Sequence, residues 1–276
     1  MWKGTGNNMK IEVVIADPAG NRTAIVRSGL PRADRAAAAA KLMEDKSLGI
    51  EQVGFETRPL YGGSAGRIEM AGGEFCGNAA RSYGYLLCSE RGTDHCKIEI
   101  SGTREQLEVI CDPERSTSAA QMPMPEKLEM VGDDPSQMYP LVVFRGIAHM
   151  LCRHMAPDEA FADRMIRKFG EQYSAFGIQF LREEAGTQTD ETDKTVMITP
   201  VVYVAGAETC FWEKACASGA LAMAWFETQN KKDGFHAYTY VQPGGELTVK
   251  IAKRQGRYAG TVGGVLTLEA PFEITI

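Results

Sequence analysis

A chain of 276 residues, 44% hydrophobic and 24% charged, suits one or two domains with a substantial buried core. Its formal charge of −6 argues against a nucleic-acid or anionic-membrane partner; no apolar run approaches a bilayer span, and no charged-then-apolar signal opens it. Seven cysteines, an odd number without regular spacing, argue against a disulfide framework and fit a reducing cytoplasm, which catalytic thiols need.

Residues 1–8 are Gly/Asn-rich and read as a loose extension, with Met9 an alternative start. Residues 11–15 predict a strand, closed by Asp17-Pro18-Ala19-Gly20-Asn21, a turn by composition, and residues 24–26 resume it. Residues 31–43 are alanine-rich and predict a helix, with Pro31 suited to the first turn. Residues 49–55 predict a short strand carrying the acidic Glu51 among apolar neighbours. Residues 61–66 lack the Lys-Ser/Thr of a phosphate loop and read as a glycine-rich turn, followed by a strand at 67–70. Residues 97–100 and 106–111 alternate around Ser101-Gly102-Thr103 as a hairpin. Pro123 and Pro125 mark a domain boundary.

Residues 141–151 predict an apolar strand broken at Arg145-Gly146. Residues 157–169 predict an amphipathic helix with Phe161, Met165, Ile166 and Phe169 on one face. A strand at 177–181 runs into the polar, acidic residues 182–194, read as an exposed loop or hairpin tip. Strands at 196–204, 237–241, 246–251, 258–262, 265–268 and 272–276 complete the chain.

Two stretches stand apart. In Glu74-Phe75-Cys76-Gly77-Asn78-Ala79-Ala80-Arg81 a glycine-rich approach leads through a cysteine into helical spacing at Ala80, Tyr83, Leu86 and Leu87. Ala215-Cys216-Ala217-Ser218-Gly219-Ala220 does the same ahead of Leu221, Met223, Ala224, Trp225 and Phe226. Each cysteine falls at a predicted helix start, where unpaired N–H groups and the positive end of the dipole favour thiolate and bind anions. A buried structural cysteine is the ordinary alternative, but two in matching small-residue settings point to paired acid/base thiols. Cys88, Cys96, Cys111, Cys152 and Cys210 fall in strand or helix patterns and are expected in the core. His95-Cys96 and Cys152-Arg153-His154 lack paired zinc-ligand spacing, so no metal site is expected. The halves rhyme again where Ser101-Gly102-Thr103 precedes Leu107-Glu108-Val109 and Pro243-Gly244-Gly245 precedes Glu246-Leu247-Thr248-Val249. The chain thus reads as a duplicated α+β unit, residues 9–124 carrying Cys76 and 125–264 carrying Cys216, with its site in the cleft between copies.

These motifs resemble the diaminopimelate epimerase family of cofactor-independent amino-acid racemases. Cys76-Gly77-Asn78-Ala79-Ala80-Arg81 looks like that family's Cys-Gly-Asn-Gly-Ala-Arg, and Cys216-Ala217-Ser218-Gly219-Ala220 like its Cys-Gly-Thr-Gly-Ala. Gly20-Asn21 matches an early Gly-Asn, and Gln52 the Gln of an Asp-Gln pair. The resemblance implies two pseudo-symmetric domains, each a mixed β-sheet or barrel around a central helix, with a C-terminal strand (about 265–276) packing back on the first. Glu51 departs from the family's Asp, and Gly146-Ile147-Ala148-His149 from its Gly-Asn-Pro-His. Trp212-Glu213-Lys214-Ala215-Cys216 is much shorter than the family's segment and lacks the arginine that holds a distal carboxylate. This short loop, with Glu51-Gln52-Val53-Gly54-Phe55, Glu74-Phe75-Cys76-Gly77-Asn78 and Gln242-Pro243-Gly244-Gly245, is similar to the histidine racemases of opine-type, staphylopine-like metallophore synthesis.

What the resemblance implies is an isomerase that needs no cofactor, neither pyridoxal phosphate nor metal, with Cys76 and Cys216 as opposed acid and base. One base on each face removes and returns an α-proton without moving the substrate, and their titrations are coupled. Backbone N–H groups at Gly77, Asn78, Ala217 and Ser218 would hold the α-carboxylate. Asn21, Gln52, Asn78 and Glu213 would orient the substrate by family position. His149 lines the cleft by motif position, a packed strand histidine being the alternative. Glu51 is expected to accept an imidazole N–H, which makes histidine the expected substrate. The alternatives are a diaminopimelate epimerase proper, a proline-racemase-type activity, an inactive small-molecule-binding member of the fold and a cysteine-rich metal module. The expected partners are an amino-acid substrate and, as often in the family, a second copy in a homodimer.

Overall fold

The computed structural model describes residues 9–183 and 196–275, so the readings of residues 1–8 as an extension and of most of 182–194 as a loop lie outside it. Strand β1 (Lys10–Asp17) turns through Ala19 and Gly20, both at positive φ, into antiparallel β2 (Thr23–Val26). Helix α1 (Arg32–Glu44) starts after Pro31 and leads to β3 (Gln52–Thr57), parallel to β2. Next come β4 (Gly66–Met70), antiparallel to β3, then helix α2 (Gly77–Arg91) and β5 (His95–Ile100), parallel to β4. Antiparallel β6 (Leu107–Asp112) and β7 (Thr117–Met122) follow.

The same order of pairings then recurs. A hairpin of β8 (Lys127–Asp134) and β9 (Gln137–Val143) brings in β10 (Ala148–Arg153), antiparallel to β9. Helix α3 (Glu159–Phe169) crosses to β11 (Ala175–Glu183), parallel to β10, and β12 (Val196–Val204) returns antiparallel. Strand β13 (Thr209–Trp212) pairs with β12 and delivers helix α4 (Ala217–Thr228). Strand β14 (Gly234–Gln242) lies parallel to β12, with antiparallel β15 (Gly245–Arg254) and β16 (Arg257–Val265) beyond it. Two short strands, β17 (Thr267–Leu268) and β18 (Phe272–Thr275), both pair with β1. The result is a mostly-sheet mixed α+β fold.

Physical causes fix where the helices lie. Helix α2 is buried from Gly77 to Cys88 and α4 from Ala217 to Trp225; α4 is apolar all round and must be enclosed, while α2 buries Asn78 and Arg81 with hydrogen-bond partners. Tyr83 and Leu87 of α2 share one core with Leu221 and Met223 of α4. Helices α1 and α3 cover the sheet from outside. Leu42 packs with Ile11 and Phe55, and Phe161 and Met165 with Phe176 and Phe180, each large side chain stabilising by roughly 1.5–3 kcal/mol. Antiparallel pairing of β7 with β16, from Met122 opposite Gly260 to Thr117 opposite Val265, joins the two runs of strands.

Several boundaries differ from the sequence expectation. Glu51 lies in the bend before β3, its N–H donating to Arg22 O at 2.9 Å. The break at Arg145-Gly146 separates two strands, β9 and β10. Residues 257–265 form one strand where the Gly263-Gly264 pair suggested two. Cys210 is exposed rather than in the core, because the alternation of β13 turns it outward beside Trp212. Among the described residues no helix is long and apolar enough to cross a membrane.

Candidate active site

Helices α2 and α4 begin against each other. A Cβ added to Gly77 would lie 3.0 Å from the Ala217 Cβ, so glycine permits this approach. Asn78 Nδ2 crosses the gap and donates to Ala215 O at 2.9 Å. Cys76 and Cys216 are the N-cap residues, with φ −129° and ψ 113° at one and φ −125° and ψ 105° at the other. The Ala79 N–H donates to Cys76 Sγ at 3.4 Å, the bond an Asp or Ser cap would accept. The backbone of Cys216 is clamped by Gln242. Its N–H donates to Gln242 Oε1 at 2.6 Å, and its carbonyl accepts from Gln242 Nε2 at 3.3 Å.

A single cavity enclosing about 650 Å³, solvent at its mouth included, is lined by both thiols and by Asn21, Glu51, Gln52, Gly77, Asn78, Glu213, Ala217 and Ser218. Asn21 organises one wall. Its Nδ2 donates to Glu51 Oε2 at 2.8 Å, while its Oδ1 accepts from Gln52 Nε2 at 2.7 Å and Asn78 Nδ2 at 3.2 Å. Asn78 Oδ1 accepts from the buried Arg81 Nε at 3.1 Å, and Arg81 Nη1 donates to Gly264 O at 3.0 Å. The motif arginine therefore ties the start of α2 to the end of β16.

His149 stands apart from the other candidates. It is fully buried behind Ser218 and does not line the cavity. Gln179 Nε2 donates to His149 Nδ1 at 3.0 Å, and His149 Nε2 lies 2.8 Å from Ser218 Oγ. That network assigns the ring hydrogen to Nε2, donating to Ser218, and leaves the serine hydrogen for Cys216 Sγ at 3.6 Å. Burial pushes His149 down to about 3, so the ring is neutral.

Burial in the cavity opposes ionisation of its acidic groups. Burial raises the carboxyls of Glu51, Glu74 and Glu213, and Glu213, further opposed by Glu51 and Glu74, reaches about 8. Burial and the nearby Glu213 push the Cys76 thiol up to about 12 and Cys216 well above its ordinary value. No Arg, Lys or His occurs among the described residues lining the cavity. A cation entering there makes ionisation of these acids and thiols easier.

Three residues of this neighbourhood carried no role in the sequence reading. Glu74 lines the cavity, and its place two residues before Cys76 was the only signal. Gln242 opens the Gln-Pro-Gly-Gly motif. Gln179 is a polar residue inside an apolar strand, a pattern that calls for a buried partner. Among the described residues no group of three or more His, Cys, Asp or Glu is placed to hold a metal.

A family model described as the histidine racemase CntK N-terminal domain matches residues 10–265. The chain is 29% identical over 262 residues to a histidine racemase of Fusobacterium nucleatum subsp. nucleatum, covering 88% of this chain and 90% of that one. It is 24% identical over 281 residues to a histidine racemase of Staphylococcus aureus, covering 96% and 97%. Among solved structures, a hydroxyproline epimerase from Agrobacterium vitis superposes with a TM-score of 0.66 at 10% identity, over 97% of this chain and 93% of that one. A Bacillus anthracis phenazine biosynthesis protein of the PhzF family gives 0.66 at 14% identity, over 97% and 100%. These last two likenesses concern the fold.

Proposed function

The chain belongs to the histidine racemase family whose model it matches over residues 10–265, and from this we propose that it interconverts L- and D-histidine with Cys76 and Cys216 as opposed acid and base. As a family member it is an isomerase. In this reading residues 9–124, with 265–276 packing back, and residues 125–264 are the two halves of a diaminopimelate epimerase-like fold. The enzyme works in the cytoplasm without pyridoxal phosphate or metal, and its D-histidine feeds opine-type metallophore synthesis.

The supporting observation is the cavity itself, with a thiol at each of two facing helix starts, three carboxylates and no cationic side chain among its described lining residues. The α-carboxylate is bound by N–H groups of Gly77, Asn78, Ala217 and Ser218, and the α-carbon lies between the two sulfurs. The α-ammonium adds the positive charge that the acidic walls lack. Glu213, whose bond to Cys216 lowers its pKa against the larger effect of burial, takes the Cys216 proton. Ser218, held by His149, donates to the resulting thiolate. That thiolate removes the α-proton while the Cys76 thiol gives its proton to the opposite face, so the two sulfurs end the turnover with their protonation states exchanged. The reverse direction starts from the other pairing.

A second carboxylate, as in diaminopimelate, would be buried here without a cation, a cost of several kcal/mol. Histidine, diaminopimelate, alanine and lysine incubated in deuterated water, with α-deuterium read by mass spectrometry, test the assignment. Histidine is expected to exchange fastest, unaffected by chelator or added pyridoxal phosphate. Preference for diaminopimelate would overturn it.

A further inference from the structure

We propose that Glu74 determines specificity, its Oε2 accepting the N–H edge of the substrate imidazole. This assignment deepens the histidine reading and rests on it. Glu74 is 8% exposed and lines the cavity, yet its Oε2 has no hydrogen-bond partner. A buried carboxyl oxygen left unpaired costs stability, so its partner is to be sought in what the cavity receives.

Glu51, a second carboxylate of the cavity, has a partner of its own. Glu51 accepts from Asn21 at 2.8 Å, which places it in the Asn21–Gln52–Asn78 wall. Glu213 stands near Cys216, and each acts on the other's protonation. Glu74 is also held in place before any ligand arrives. Its carbonyl accepts from Ser101 Oγ at 2.8 Å, and Ser101 Oγ accepts from the Met70 N–H at 2.9 Å. Its Oε2 lies 2.8 Å from where a Cβ on Gly72 would stand, and that same Cβ would meet Val204 Cγ1 at 2.5 Å. The absence of a side chain at Gly72 therefore lets the Glu74 carboxyl and the aliphatic Val204 of β12 approach closely across it.

Val53, Ala71, Val204, Ala207 and Phe211 make this part of the lining apolar. A flat aromatic ring with one N–H edge satisfies such a chamber: its faces meet the apolar wall and the edge meets the unpartnered Glu74 oxygen. Burial raises the Glu74 carboxyl, which favours sharing a proton with a bound base. A neutral imidazole and a protonated Glu74 hold one proton between the ring nitrogen and Oε2, and its transfer to the ring gives a carboxylate–imidazolium pair; an imidazolium meeting the ionised carboxylate gives the same pair.

Calorimetric titration of wild type and Glu74→Gln with L-histidine and with 3-(2-thienyl)-L-alanine tests this. The second ligand has a five-membered aromatic ring without the N–H, and racemisation itself releases no net heat. Loss of a buried charge-assisted bond predicts a histidine Kd at least ~30-fold weaker in Glu74→Gln, a matching rise in KM, and a thienylalanine Kd within about threefold of wild type. Circular dichroism and melting check that the isosteric variant is folded, and Glu74→Asp is expected to recover part of the histidine affinity. Equal losses for both ligands, or none for either, overturn the role of Glu74 while leaving histidine as substrate. Wild type that neither binds nor racemises histidine overturns the histidine reading, and this inference with it.

Discussion

Burial raises the Glu213 carboxyl from an ordinary 4.5 to about 8, with Glu51 adding to the effect. Between those values the unfolded chain has lost a proton that the folded protein keeps. The unfolded state thus binds fewer protons, and stability falls as pH rises from about 4.5 toward 8. Glu213→Gln is expected to flatten that slope and to raise the melting temperature at pH 8 by a few degrees, ~2–4 °C per kcal/mol for a chain of this size. The same substitution should lower kcat/KM on the order of 100-fold or more and remove its rise through pH 8, since the base for Cys216 is gone. Thermal melts and rate profiles across pH 5–9 check both; an unchanged slope of melting temperature with pH would contradict the assignment. At this scale the matching settings of the two thiols and, through the family resemblance, the places of Asn21, Gln52, Asn78 and Glu213 along one cavity were legible. The lack of a partner at Glu74 Oε2 was not legible, since it depends on what the fold brings beside it. Nor was the retreat of His149 behind Ser218, which depends on its Gln179 partner from β11.

Elements declared themselves where local chemistry and burial agree. The apolar run of α4, the spacing of Ala80, Tyr83 and Leu87 in α2 and the capping position of each cysteine follow from sequence spacing. Strand β8 did not, because most of it is solvent-facing and its register shifts between Val131 and Asp134. Gly263-Gly264 suggested a break in β16 but marks a close approach instead. A Cβ at Gly263 would lie 2.9 Å from Ala119 Cβ and 3.1 Å from Ser118 O across the β7 pairing. Gly263→Val should therefore push the two strands apart and destabilise by roughly 1–3 kcal/mol, read by urea unfolding. Gln242→Ala acts differently: it leaves the Cys216 N–H and carbonyl without their clamp. It should cost about 1–3 kcal/mol for the unsatisfied groups and lower kcat more than it raises KM.

The whole molecule brings together two cysteines that lie far apart in sequence. The β7–β16 pairing, the Asn78–Ala215 bond and the anchoring of Arg81 on the carbonyls of Gly264 and Val265 all span that separation. The repeat was legible as a rhyme of motifs, but the seam was not, because glycines and alanines that permit close approach look like neutral filler in a sequence. Pairing of β1 with β18, from Lys10 opposite Thr275 to Val13 opposite Phe272, closes the chain onto its beginning. Removing residues 271–276 should lower the melting temperature by several degrees, although none of the described residues 271–275 lines the cavity. The claim that two opposed thiols share one α-carbon is tested most directly by Cys76→Ser and Cys216→Ser, each assayed for racemisation of L-histidine and of D-histidine by chiral chromatography. Serine preserves packing but is far too weak a base, so each single variant is expected to lose turnover in both directions by ~1,000-fold or more while melting within a few degrees of wild type. Either variant turning over at a rate near wild type would contradict the two-thiol account.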